Sequence, residues 1–292
     1  MMALAFSLAG PCKDVGEGQR EASAMDWPQL DGLIAALPAE AAVLEVGTGH
    51  GALLGYLLSL LGSGGRFRLT TIDSSPDAAT AAMARLGSTA AAVRQRVTVK
   101  QADVVDFAAA PAHIASYPLV VASALLSAVP LTRAWSLDDV VLSLAVLVKP
   151  GGTLLLEDYL PLAPSSTAGA AGNGQADTLA AARAARELWR WYKAVAELDG
   201  LPHYEEVPPA WVRKRLLEHG FCAVEVSTDE RQVSRGLDDL RVLDAERLAR
   251  PESIDPALWF ALDRYRRDRL RVLADAGGLV QWSGWYRIRA TR

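Results

Sequence analysis

"VLEVGTGHGALLGYL", residues 43–57, sets three glycines, Gly47, Gly49 and Gly51, between an apolar run and a helix-like stretch. Glycine costs backbone entropy, so clustered glycines mark a chain that must turn tightly or let something come close. "AAVLEVG" reads as a short strand and "ALLGYLLSLLG" as a helix stopped by the glycines from Gly62 to Gly65. In such a strand–loop–helix unit the backbone can approach a ligand, and the helix N-terminus offers free N–H groups.

The same alternation spreads outward from this unit. "RFRLTTID", "RVTVKQAD", "YPLVVASALL" and "TLLLEDY" read as further strands. "SPDAATAAMARLG", capped by Ser74 or Ser75, and "LDDVVLSLAVLVKPGG", ended by Pro150 and its glycines, read as helices between them. Upstream, "MDWPQLDGLIAALP" reads as a helix with Asp26 as cap, Pro28 in its first turn and Pro38 at its end. Downstream, "WVRKRLLEHGFCAVEVST" repeats helix, glycine and strand, and "WSGWYRIRATR" alternates like a half-exposed strand that closes the sheet at an edge. Near-continuous apolar strands separated by helices indicate a parallel sheet covered on both faces. The expected fold class is α/β: a Rossmann-like, doubly wound, mostly parallel seven-stranded sheet with an antiparallel edge strand and helical lid insertions.

The bulk numbers agree with a folded chain. It has 292 residues, 51% of them apolar and 22% charged. The net charge of −4 argues against a general nucleic-acid binder. Two cysteines, Cys12 and Cys222, form no metal spacing or disulfide framework, so a reducing, cytoplasmic setting fits best. The start, "MMALAFSLAGPCKD", has a short apolar run with no basic residue before it and makes a poor secretory signal. No stretch reaches the roughly 18 uninterrupted apolar residues of a membrane span, so no membrane partner is expected.

Four segments follow: a flexible N-terminal piece (1–25), the ligand-binding core (26–160), a helical lid insertion (161–208), and the rest of the sheet (209–292) with a second helical insertion at about 231–279. Both insertions follow strands whose carboxyl ends should face the ligand crevice of an open α/β sheet.

Dinucleotide enzymes use G-x-G-x-x-G to seat a pyrophosphate. Here the loop is G-T-G-H-G, with the third glycine one position early, and Glu45 stands two residues before the first glycine. A pyrophosphate disfavours a carboxylate there, and a cationic ligand favours one. At this point the sequence resembles the class I S-adenosylmethionine-dependent methyltransferases of small-molecule type. "EVGTGHG", Glu45 to Gly51, matches their acidic-x-G-x-G-x-G motif. The resemblance implies S-adenosyl-L-methionine as cofactor and S-adenosyl-L-homocysteine as product. It implies Glu45 near the methionine amino group, and Gly47, Thr48, Gly49 and Gly51 along the cofactor. Asp73, with Ser74, ends "LTTIDSS" where the family binds both ribose hydroxyls; an ionised carboxylate accepts from a diol with no donor to turn away. Asp103, between Ala102 and Val104, stands at the adenine position, and Ser123 lies in the run under the cofactor. "LVKPGGTLLLEDY" matches the family's helix–PGG–strand segment. Pro118, Leu125 and Leu126 depart from it: many members have an acid at the first position and some a histidine at the others.

Bland readings stand beside these. Asp73 and Asp103 also suit helix caps, and His50 can touch the cofactor tail or face water. Trp189, Trp191 and Tyr192 in the first insertion suit a pocket wall or plain packing, with Trp259, Phe260 and Tyr265 a weaker case. "RYRRDRLR" reads as a solvated helix face. Candidate bases are Glu157, Asp158, Tyr159, His203, Tyr204, Glu205 and Glu206, and none has a diagnostic spacing. Catalysis is assigned to His203, Asp158 and Glu157, and acceptor binding to Trp189, Tyr192 and Tyr159; no metal is expected.

The expected activity is methyl transfer to a small organic acceptor, with oxygen favoured and a secondary metabolite in view. The alternatives are a cyclase- or pericyclase-like enzyme on the same cofactor, a degenerate accessory protein, and a macromolecular methyltransferase. A homodimer is left open.

Overall fold

The computed structural model describes residues 28–132, 134–161, 175–200, 203–229, 234–235, 252–275, 280–281 and 284–292. The expectations for residues 1–25, the Asp26 cap, Cys12 and most of 231–251 lie outside the described residues.

Five parallel strands build most of one sheet: β1 (Ala42–Val46), β2 (Arg68–Asp73), β3 (Val97–Gln101), β4 (Tyr117–Ser123) and β5 (Val148–Tyr159). With β6 (Ala223–Asp229) and β7 (Trp285–Thr291) they form a seven-stranded sheet in the order β3-β2-β1-β4-β5-β7-β6. The order reverses between β1 and β4, where ligands bind in open α/β sheets. β7 runs antiparallel to both neighbours. It therefore lies one place in from the edge, and β6, which is largely exposed, forms the edge itself.

Alternation along the strands feeds two cores. Leu44, Val46, Val120, Ala122, Leu154 and Leu156 face one side, where α5 (Val104–Ala109), α7 (Leu137–Leu147) and α9 (Pro209–Glu218) pack. Val43, Leu119, Val121 and Leu155 face the other, against α2 (Ala52–Gly62) and α3 (Pro76–Gly87). The remaining core helices are α1 (Pro28–Ala35), α4 (Ala91–Arg94) and α6 (Val129–Thr132).

Local chemistry sets the ends. Ser75 caps α3 by accepting from Ala78 N–H at 3.3 Å. Ser136 and Asp139 form a capping box at α7. Pro118 sits where the β4–β5 register shifts, so its missing N–H costs the ladder nothing.

The helix expected in the first insertion is α8 (Gln175–Leu198), and that in the second is α10 (Pro256–Asp275). They pack against each other through Ala181, Ala184, Ala185, Leu188 and Leu273, and Glu187 pairs with Arg269 at 2.9 Å. Trp191 belongs to this packing, between Val195, Ile254 and Trp259. Phe260 is 72% exposed. Among the described residues no helix is long and apolar enough to cross a membrane.

Candidate functional site

The site begins with the backbone of the loop after β1. Gly47, Gly49 and Gly51 have φ of +79°, +48° and +77°, which side-chain-bearing residues adopt at a cost. A Cβ at Gly47 would meet Leu125 Cδ1 at 3.1 Å, whereas one at Gly49 would meet nothing within 4 Å. The loop is thus packed against Leu125 at Gly47 and open at Gly49. Gly51 is the N-cap of α2 and supplies no side-chain cap, and the Leu54 backbone in the first turn of that helix faces the Glu45 carboxyl.

Glu45, at the end of β1, is fully buried. Its Oε2 accepts from the Thr71 hydroxyl at 2.5 Å. Thr71 Oγ1 also hydrogen-bonds Thr48 Oγ1, so Thr48, Thr71 and Glu45 form one buried chain. Glu45 Oε1 has no hydrogen-bond partner among the described residues. Burial, aided by the charge of Asp73, pushes the carboxyl pKa up to about 7, against the pull of the Thr71 hydroxyl and the Leu54 backbone. The sequence reading missed Thr71; its hydroxyl in β2, two residues before Asp73, was the available signal.

Asp73 ends β2. Its Oδ2 accepts from Gly49 N–H and its Oδ1 from Ser75 N–H, both at 2.8 Å. Its carbonyl accepts from Ala102 N–H at 2.9 Å, which brings the Ala102–Val104 segment alongside. Asp103 is the N-cap of α5 through Val105 N–H, so its capping role is real whatever else it touches. Ser74 follows Asp73 at the same rim, and Ser123 ends β4 opposite Glu157. The residues expected around the cofactor therefore lie along the carboxyl ends of β1 to β4.

These residues fit S-adenosylmethionine. An unsatisfied buried carboxylate oxygen suits a cationic amino group, and the open face of Gly49 leaves room against the backbone. Among the described residues no group of three or more His, Cys, Asp or Glu is placed to hold a metal.

The other expected residues divide. Tyr204 is half-buried; burial first and then the charge of Asp73 raise its pKa. Tyr192 is raised by burial and then by Tyr204. Tyr192 stacks on Trp189 with ring centres 5.6 Å apart. Trp189 Nε1–H donates to Glu206 Oε1 at 2.7 Å, and Lys193 donates to Glu206 Oε2. Glu205 N–H donates to Ser127 O at 3.0 Å, which seats this segment on the turn after β4. His203 lies 3.6 Å from Glu205. Tyr159 instead stacks on Trp285, at 4.0 Å. Glu157, also buried, pairs with Arg287 across β5 and β7. Asp158 is fully buried and accepts from three backbone N–H groups, those of Leu126, Ser127 and Tyr159.

Residues 44–154 match the methyltransferase domain family. No curated protein matches the chain. Among solved structures, the YcgJ protein of Bacillus subtilis aligns with a TM-score of 0.53 at 12% identity, over 90% of this chain and 97% of that one. A candidate methyltransferase from Bacillus halodurans aligns at 0.52 and 16%, over 90% and 98%. Phosphoethanolamine N-methyltransferase 2 of Haemonchus contortus, bound to phosphomonomethylethanolamine and S-adenosylhomocysteine, aligns at 0.50 and 14%, over 91% and 52%. The chain thus spans about half the length of the Haemonchus enzyme. At these identities the structural likeness establishes the fold. The family match runs from β1 into β5, the part of the sheet that carries the glycine loop and its acids, so this part of the chain is similar to methyltransferase domains and the whole shares their Rossmann-like fold.

Proposed function

We propose that the enzyme methylates an oxygen of a small organic acceptor, a secondary metabolite by expectation, held beside α8. The observation that supports this most is the Trp189–Tyr192 stack. Glu206 ties it to residues 203–207, and Glu205 ties those residues to the turn at the ligand end of β4. Half-buried aromatic faces suit a flat, apolar acceptor and exclude water from it.

When bound, S-adenosylmethionine supplies an already electrophilic methyl carbon. The chain's own task is to bind, align and keep dry. In this reading Glu45 Oε1 accepts from the methionine ammonium, Asp73 takes the ribose hydroxyls, and Asp103, Ala102 and Val104 border the adenine. His203 takes the proton of the acceptor hydroxyl, with Glu205 beside it. Glu157 and Asp158 are less suited to that step, because an arginine and three backbone donors already occupy them. The basic run on α10 is matched by acids: Arg266 and Arg267 pair with Asp263, Arg269 with Glu187 and Arg271 with Asp268. That pairing favours a small acceptor over a nucleic acid, and the exposed free Cys222 suits the cytoplasm.

The test is calorimetric titration with S-adenosylmethionine, S-adenosylhomocysteine and NAD, then methyl-labelled donor offered to phenols, alcohols and amines. Binding of the first two with NAD silent, and label in an ether, supports the reading. Label on an amine moves the site to nitrogen, the chemistry named for the Haemonchus enzyme. Turnover without donor consumption favours a cyclase-like enzyme.

A further inference from the structure

The turn Ala124–Ala128 after β4 is a strained element, tied within itself by Ala128 N–H to Leu125 O at 3.1 Å and by the Ser127 hydroxyl to Ala124 O at 3.4 Å. Ala124 has φ of +51°, a left-handed conformation unfavourable for alanine. The N–H groups of Leu126 and Ser127 both donate to Asp158 Oδ2, at 2.8 and 3.1 Å. Ala124 N–H donates to Glu157 O at 2.8 Å. A buried carboxylate with its lone pairs aimed at backbone donors is poorly placed to take a proton from an acceptor, and well placed to hold a turn.

What the turn touches gives that hold a purpose. On one side Leu125 lies over Gly47, so close that a methyl there would stand 3.1 Å from Leu125 Cδ1. On the other, Ser127 O receives Glu205 N–H, and the next residue, Glu206, holds Trp189 and Lys193 of the inserted helix. One carboxylate therefore sets the height of Leu125 above the donor loop and anchors the acceptor-side segment. We infer that Asp158 is a positioning residue that shapes the donor loop through the Leu125–Ser127 turn and links it to the inserted helix. This rests on the donor and acceptor placement proposed above.

The experiment is calorimetry with S-adenosylhomocysteine on the full chain and on Asp158→Asn, Leu125→Ala and the double variant, with hydrogen exchange at amides 126, 127 and 205. Each single variant should bind roughly tenfold more weakly, about 1.4 kcal/mol. The double variant should bind no more weakly than the worse single one, because both act through one path. Exchange at all three amides should quicken in Asp158→Asn. Wild-type affinity in a folded Asp158→Asn, losses that multiply in the double variant, or slow exchange at amide 205 would overturn the inference. If Asp158→Asn does not fold, wild-type affinity in Leu125→Ala alone overturns it. A wild-type chain that does not bind S-adenosylhomocysteine would instead defeat the donor reading itself.

Discussion

Glu45 and Thr71 are direct partners in the parallel β1–β2 pair, and the Thr71 hydroxyl serves only one of the two oxygens of the buried Glu45 carboxylate. The fold thus keeps half a carboxylate unsatisfied. Folding raises the Glu45 pKa from 4.5 to about 7, so the native state holds a proton that the unfolded chain releases across that window. Stability of the ligand-free protein should therefore fall as pH rises from 4.5 to 7, by about 3 kcal/mol from this group. Donor affinity should move the other way, rising through pH 7 as the carboxylate ionises toward the ammonium. Glu45→Gln should flatten both profiles in denaturant unfolding and calorimetry.

Asp73→Ala removes the acceptor of two loop N–H groups as well as the proposed ribose ligand. A charged hydrogen bond is worth about 1.5–3 kcal/mol, so S-adenosylhomocysteine affinity should drop about tenfold to a hundredfold. Unchanged affinity would remove the ribose assignment.

Gly47→Ala and Gly49→Ala should separate strain from room. Both force alanine into positive φ, at a cost of about 1–2 kcal/mol each. Only at Gly47 does the new methyl also press on Leu125. Gly47→Ala should lose more stability, while Gly49→Ala should lose donor binding at small stability cost. Thermal unfolding beside calorimetry reads both.

Trp189→Ala breaks the Tyr192 stack and the bond to Glu206. Turnover with an acceptor found in the labelling screen should fall much further than S-adenosylhomocysteine affinity. Equal losses would make Trp189 a packing residue.

Arg287→Met strips the guanidinium from the buried Glu157. Removing one member of a buried pair costs about 3–5 kcal/mol, so this variant should show a large loss of stability in chemical denaturation. A neutral result would mean that the Glu157–Arg287 pair adds nothing to stability.

Much of the core was readable in advance because its signals are local. Glycine spacing, apolar runs and the Ser75 cap act on neighbours in the chain, so their meaning survives without tertiary context; α7, by contrast, ends at Leu147, and Pro150, Gly151 and Gly152 fall within β5 rather than at the helix end. The glycine loop and Asp73 sit at strand ends as expected for the same reason. The strand at 285–291 was recognised by its alternation, yet alternation says nothing about which strand lies beyond it, and β6 took the edge. The acids Glu157 and Asp158 looked alike in sequence. Strand alternation turns them to opposite faces, where one meets Arg287 and the other the turn after β4.

By itself the sequence determined the fold class, the glycine loop after β1 and the order of the acids at the strand ends, because each depends on residue type and spacing within strand–loop–helix units. Only the tertiary structure decided that Trp191 is buried between Val195, Ile254 and Trp259 while Trp189, packed on the α8–α10 core, also donates to Glu206, that Leu125 closes over Gly47, and that Asp158 is spent on backbone donors. Those contacts join residues far apart in the chain, and burial and hydrogen-bond satisfaction, which select them, exist only once the sheet and the inserted helices have come together.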